Sequence, residues 1–150
     1  GGIHNLPSRG VATLQPGTRP ADFCAALAAA LGRHPHASCH FDNIDVSKVG
    51  WSSAEFQELI GIVQRHAATA QRIKAFRCRL SDDAVVALSA WLQLIPPKLL
   101  PSEIHLSDNE LTVAAFDTLV RTLEGKFPHC PPRVPIWVRV EQNRIDTGAL

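Results

Sequence analysis

The densest collection of ligand-type side chains is His34-Pro35-His36-Ala37-Ser38-Cys39-His40, with four imidazole or thiol groups in seven residues. Imidazole and thiolate are the donors zinc prefers. The spacing is poor for it. His36, Cys39 and His40 meet one ion only if the segment curls tightly. No second pair lies at zinc-finger distance, and His129-Cys130 is far along the chain. The simpler reading is a solvated helix-to-strand loop with Cys39 partly buried, and no metal is assigned. Asp42, Asp45, Asp82 and Asp83 could supply paired carboxylates for acid–base or metal chemistry. Asp82 and Asp83 instead suit the first turn of a helix. Asp42 and Asp45, three apart, point to opposite faces of a regular strand. Phosphate-loop, dinucleotide, nucleophile-elbow and HExxH motifs are all absent. The expectation is a non-catalytic chain with no cofactor and no small-molecule substrate.

Composition narrows the class. The chain has 150 residues, 45% of them apolar and 19% charged, enough for one domain with a real core. Fifteen Lys/Arg against fourteen Asp/Glu leave a net charge of +1, which excludes nucleic-acid binding driven by bulk charge. No apolar run reaches the roughly 18 residues of a membrane span, and no secretory leader is visible. The four cysteines form no CxxC pair and read as free thiols of a reducing, intracellular compartment. The absence of Met suggests one domain of a larger protein. Charge is banded: residues 70–100 carry five bases (Arg72, Lys74, Arg77, Arg79, Lys98) against two acids, while residues 37–69 and 101–134 each come to −2.

A repeat underlies the second half. Apolar residues stand at Ile104, Leu106 and Leu111 around Asn109, and the offsets recur at Val138, Val140 and Ile145 around Asn143. They recur again at Ile73, Ala75 and Leu80 around Cys78, and at Ile44, Val46 and Trp51 around Val49. In this template apolar sites four and six precede a pivot at nine and an apolar site at eleven. Sites two apart face the same side of a strand. A side-chain amide at the pivot can satisfy backbone groups where the strand bends away. A Cys fits the corner as a small apolar filler. Val49, Trp51 and Ala75 depart from the pattern.

The spacing resembles the leucine-rich repeat, LxxLxLxx(N/C)xL, in its ribonuclease-inhibitor-like form, over about residues 37–150. The resemblance implies a short α/β solenoid of about four strand–helix units with parallel strands. The stretches between motifs carry helical signals. Ser52 and Glu55 match a capping box before the stripe Phe56, Leu59, Ile60 and Val63. Ser81-Asp82-Asp83 opens a second helix with Val85, Leu88, Leu92 and Ile95, ended by Pro96-Pro97. Thr112 opens a third with Phe116, Leu119, Val120 and Leu123, and Gly125 stops it. An earlier helix from Pro20 to Leu31 buries Phe23, Leu27, Ala30 and Leu31. No convincing strand precedes it, so it reads as an N-terminal helical cap. Residues 1–19 read as a loosely ordered lead-in that can hold one short strand around Val11–Leu14, which places the domain at 20–150.

In such a fold the odd template sites project outward. They give a column Asp45, Lys74, His105, Arg139 and, on either side of it, Arg72 and Trp137, and Phe76. Two large aromatics flanked by basic residues have the composition of an interface centre. Arg72, Lys74, Phe76, His105, Trp137 and Arg139 are the contact candidates for a protein partner. The same patch admits RNA as the alternative, since aromatics with Arg can stack on single strands.

Overall fold

A computed structural model describes residues 2–4, 9–34, 38–126 and 136–144. His36, His129, Cys130 and Ile145 fall outside them. The elements in chain order are β1 (Ile3–His4), β2 (Arg9–Thr13), α1 (Pro20–Gly32), β3 (His40–Asp45), α2 (Ser53–Arg65), β4 (Thr69–Ala70), β5 (Arg72–Lys74), α3 (Asp82–Leu94), β6 (Glu103–His105), α4 (Val113–Lys126) and β7 (Trp137–Arg139). They form an α/β fold with one sheet in the order β1-β2-β3-β5-β6-β7, with β4 also paired to β3. Among the described residues, neighbours from β2 onward are parallel, and β1 pairs with β2 antiparallel.

Strand order follows chain order, so each crossover helix returns on the same face, as right-handed connections require. Ala12, Ile44, Ile73 and Ile104 point into one core with Leu27, Phe56, Leu88 and Leu119 of the four helices. Parallel sheets are usually covered on both faces. Here polar residues alternate with core residues along each strand, which fits a sheet covered on one face only.

The pivots hold successive units together. Asn109 Oδ1 accepts from the Cys78 and Leu80 N–H groups at 2.9 and 3.0 Å. Its Nδ2 donates to the carbonyls of Ala75 at 2.8 Å and Leu106 at 3.0 Å. Asn143 repeats the arrangement: its Oδ1 accepts from Leu111 N, and its Nδ2 donates to the carbonyls of Leu106 and Val140. The Cys78 thiol donates to the Val46 carbonyl at 3.3 Å, the equivalent bond to the preceding unit. The residue before each pivot has positive φ: Lys48 71°, Arg77 54°, Asp108 60° and Gln142 57°. Side chains other than Gly and Asn/Asp adopt that region at a cost of about 1 kcal/mol. At Asp108 and Gln142 the pivot amides bonded around the bend offset that cost; near Lys48 and Arg77 the Trp51 indole and the Cys78 thiol bond the Val46 carbonyl instead.

Several expectations need correction. The short strand expected near Val11–Leu14 is β2, Arg9–Thr13; it pairs with β3 in parallel, and Leu14 N donates to Asp45 O at 2.8 Å, so the sheet extends before residue 20. Helix α1 is therefore the second half of a strand–helix unit rather than an isolated cap, and β1 borders the sheet beyond it. The β2–β3 register shifts between Gly10 and Val11, which gives β3 one extra residue and breaks the strict alternation assumed for Asp42 and Asp45. In α4 the buried residues are Ala115, Leu119 and Leu123, with Phe116 and Val120 only half-buried, and the helix runs through Gly125 to Lys126.

The capping box expected at α2 is present. Ser52 Oγ accepts from Glu55 N at 3.1 Å, and Glu55 Oε1 accepts from Ser52 N at 2.9 Å. At α3 the Ser81 hydroxyl lies 3.0 Å from that of Ser53 instead of capping its own helix. Asp82 reaches the next unit, accepting from the backbone N–H and the hydroxyl of Thr112.

Candidate interaction face on the strands

The backbone ladder fixes the outward columns. Arg72 pairs with Glu103 and Glu103 with Trp137; Lys74 pairs with His105 and His105 with Arg139. Asp45 stands beside Lys74 and Thr13 beside Asp45. Five of the six candidates thus lie in two adjacent columns across β5, β6 and β7.

Their side chains form a connected chain of contacts. Arg72 Nε lies 3.2 Å from Glu103 Oε2. The same oxygen is 3.3 Å from His105 Nε2. The His105 ring meets Trp137 edge-on, with centroids 5.9 Å apart at 61°. On the Trp137 ring sits the Arg139 guanidinium, 5.8 Å from the centroid. Arg139 Nε donates to Glu141 Oε1 at 2.9 Å. Glu141 is held below the usual carboxylate range, first by a bond from its own backbone N–H and then by Arg139, against a small opposing effect of desolvation.

Exposure separates the members. Trp137 is 57% exposed. The His105 side chain is only 13% exposed, covered by the residues around it, so it supports Trp137 more than it offers a surface. Lys74 is half-buried and makes no ion pair among the described residues.

Phe76 stands apart. It lies four residues further along and two strands over from Trp137, roughly 16 Å away at ordinary strand spacings. It is half-buried, with Lys48 Nζ 5.8 Å from its ring centroid and its N–H donating to Ser47 Oγ at 3.1 Å. A hollow of about 290 Å³ between Phe76 and Arg139 is lined also by Arg77, Ser107, Asp108, Glu141 and Gln142. The two aromatics are therefore separate points on one face.

Template spacing puts Glu103 and Glu141 on this face too, but the contact candidates left out its acids. Glu103, Asp108 and Glu141 each hold an arginine: Arg72, Arg77 and Arg139 respectively. The banding of charge along the chain hides this, because cross-strand pairing mixes the basic band with its acidic neighbour. The face alternates in sign, unlike the continuous basic groove that tracks a nucleic-acid backbone.

Among the described residues no group of three or more His, Cys, Asp or Glu is arranged to hold a metal ion. No helix there is long and apolar enough to cross a membrane. Cys24, Cys39 and Cys78 are free and buried. Burial pushes the Cys24 and Cys78 thiols up to about 12 and Cys39 to about 11, so all three remain protonated at neutral pH.

No protein-family model matches the chain, and no curated protein matches it. The fold is similar to the solved structure of "Leiomodin-1 Actin-Binding Site 2 (ABS2)", with a TM-score of 0.60 at 12% identity. The match covers 85% of this chain, and this chain spans 65% of that one. At that identity the likeness is one of fold.

Proposed function

We propose that this chain is a leucine-rich-repeat domain of the ribonuclease-inhibitor-like form, a short solenoid that binds a protein partner through the open face of its sheet. It carries no chemistry of its own and works in a reducing, intracellular setting. The observation that carries the reading is Trp137: a large aromatic 57% exposed on the strand face, braced by His105 and Arg139. Rigid aromatics with an adjacent Arg are the commonest anchors of protein interfaces. Lys74, without an ion pair among the described residues, is placed to meet a partner carboxylate and set register. Support for the repeat comes from the equivalent corners at Cys78, Asn109 and Asn143. A fold shared with a structure whose title names an actin-binding site is in keeping with a binding module.

The test places a photo-crosslinking residue at Arg139 and, as a control, at Glu58 on the helix side. Cell extract should give discrete protein adducts from position 139 and none from 58, and Trp137→Ala should abolish them. Adducts from position 58 alone would sink the reading. So would tight binding of a labelled oligouridylate that falls steeply with salt and needs Arg72 and Arg139, the mark of RNA.

A further inference from the structure

The ion pairs of the strand face leave a remainder of mostly one sign. Five arginine–carboxylate pairs are internal to the strands and their corners, from Arg9–Asp42 at one end to Arg144–Glu110 at the other. Outside those pairs stand Lys48, Lys74, Arg79 and Asp45, and none of the four makes an ion pair among the described residues. Asp45 is engaged within its own turn, where Oδ1 accepts from Ser47 N at 3.1 Å. The three cations gather around Phe76. Lys74 precedes it by two residues and projects from the same side. Lys48 Nζ stands 5.8 Å from its ring centroid. Arg79 reaches back over the Lys48 corner, its Cδ 3.8 Å from the place a Cβ would take at Gly50. Beside Phe76 opens a hollow of about 430 Å³, whose walls include Leu14, Pro16 and Val49, with Asp45 and Lys48 among its polar members. Lys48 and Arg79 are exposed, and Lys74 and Phe76 are half-buried. An apolar hollow rimmed by unpaired cations is complementary to an apolar group carried between negative charges.

We propose that this corner takes an acidic stretch of the protein partner, with one apolar side chain in the hollow and a carboxylate on either side of it, at Lys48 and at Lys74. The inference rests on the reading that the strand face is the binding side, and adds the chemistry of what binds there. Spacing sets the pattern. Lys74 and Lys48 stand at template sites five and eight of adjacent units, roughly 11 Å apart at ordinary strand spacings. In an extended chain, side chains two apart share a side, and the first and fifth residues lie about 13 Å apart. The pattern acid–x–apolar–x–acid therefore brings all three groups to the protein at once, and the flexible lysine stems close the remaining gap. Arg79, beyond Lys48, adds attraction on approach. A nucleic acid fits less well. Glu103, Asp108 and Glu141 continue along the same face and oppose a phosphate chain, whereas a peptide places only two charges here.

Fluorescence anisotropy of the intact chain with the fluorescein-labelled peptide Glu-Ser-Leu-Ser-Glu tests this, with far-UV circular dichroism as the check on folding. The peptide should bind with Kd on the order of 100 µM. Replacing its leucine by glycine, or both glutamates by glutamine, should weaken binding at least about tenfold. Lys48→Glu should do the same, with unchanged dichroism because the side chain is exposed. That variant should also bind the peptide's lysine counterpart better than wild type does. Lys98→Glu, at the opposite end of the strands, should change binding less than about twofold. Trp137→Ala, roughly 16 Å from Phe76, should leave the peptide bound. No binding up to about 1 mM, equal losses in Lys48→Glu and Lys98→Glu, or indifference to the leucine would each overturn the proposal. So would a labelled oligouridylate that binds more tightly than the peptide and is lost with the same Lys48→Glu change. Adducts from position 139 without peptide binding would overturn this inference and leave the strand-face reading standing.

Discussion

The indole N–H of Trp51 donates to the main-chain carbonyl of Val46 at 3.1 Å. In the later units the equivalent carbonyls, Leu106 and Val140, accept from the amides of their own Asn109 and Asn143. The β3 unit has Val49 at that corner, whose side chain can donate nothing. Two departures from the repeat, Val49 and Trp51, are thus one exchange, in which the indole does from site eleven what the amide does from site nine. Trp51 also meets Phe23 and Phe56 edge-on, tying α1 and α2 to the corner.

That exchange predicts coupling. Trp51→Phe keeps most of the ring but removes the donor, and should cost about 1–3 kcal/mol. Val49→Asn should change little in wild type and recover about 1 kcal/mol in the Trp51→Phe background. Urea denaturation of the four proteins measures the cycle. Strict additivity would show that the two sites do not share the carbonyl.

The amide corners should rank by what they leave unpaired. Asn109 is 8% exposed and serves backbone groups of two units. Its removal strands buried N–H and C=O groups together, so Asn109→Ala should cost about 3–5 kcal/mol. Asn143 is half-buried and its substitution should cost about 1–2 kcal/mol. Cys78→Ala removes a weak thiol donor and a small volume, and should fall near 1–2 kcal/mol. Chemical denaturation orders the three, and equal losses would contradict the ladder.

The outward columns were legible because strand alternation depends only on residue count once the pivots set the register. Arg72, Lys74, His105, Trp137 and Arg139 therefore stand where spacing puts them. The first strand was not legible. Its inward sites include Gly10 and Ala12, too small to register as an apolar period although both are buried. Depth was not legible either: His105 and Phe76 are half-covered by Trp137 and Lys48, neighbours in space that lie about thirty residues away in sequence. Nor could one-dimensional spacing show that Phe76 and Trp137 belong to different parts of the face.

Two glycines should respond oppositely to the same change. Gly61 sits within α2, and an added Cβ would meet only the tip of the Arg65 side chain at 3.4 Å, which can swing aside. Gly61→Ala should stabilise by about 0.5–1 kcal/mol through helix propensity. Gly17 has open space around it but φ of +86°. Gly17→Ala should destabilise by about 1 kcal/mol. Thermal midpoints moving the same way for both would show that backbone conformation does not decide the outcome.

Alkaline pH should weaken the fold through its thiols. Burial is the largest cause of the raised values at all three sites. Negative charge from Glu58 and Glu55 adds to it at Cys24, as does Asp42 at Cys39; backbone N–H groups of Val49 and Lys48 partly oppose it at Cys78. In the unfolded chain these thiols ionise near their ordinary value of about 9, whereas in the fold they hold their protons to about 11–12. Above about pH 9 unfolding therefore releases protons, so the thiol contribution is complete below that pH and drains away as pH climbs towards 12. The urea midpoint should fall across this window, and more gently in Cys24→Ala/Cys78→Ala than in wild type. Lysines titrate in the same range, and the comparison of the two slopes isolates the cysteines. Iodoacetamide should label the native thiols far more slowly than the urea-unfolded chain. Equal slopes, or native labelling at the unfolded rate, would mean that the core does not keep these groups protonated.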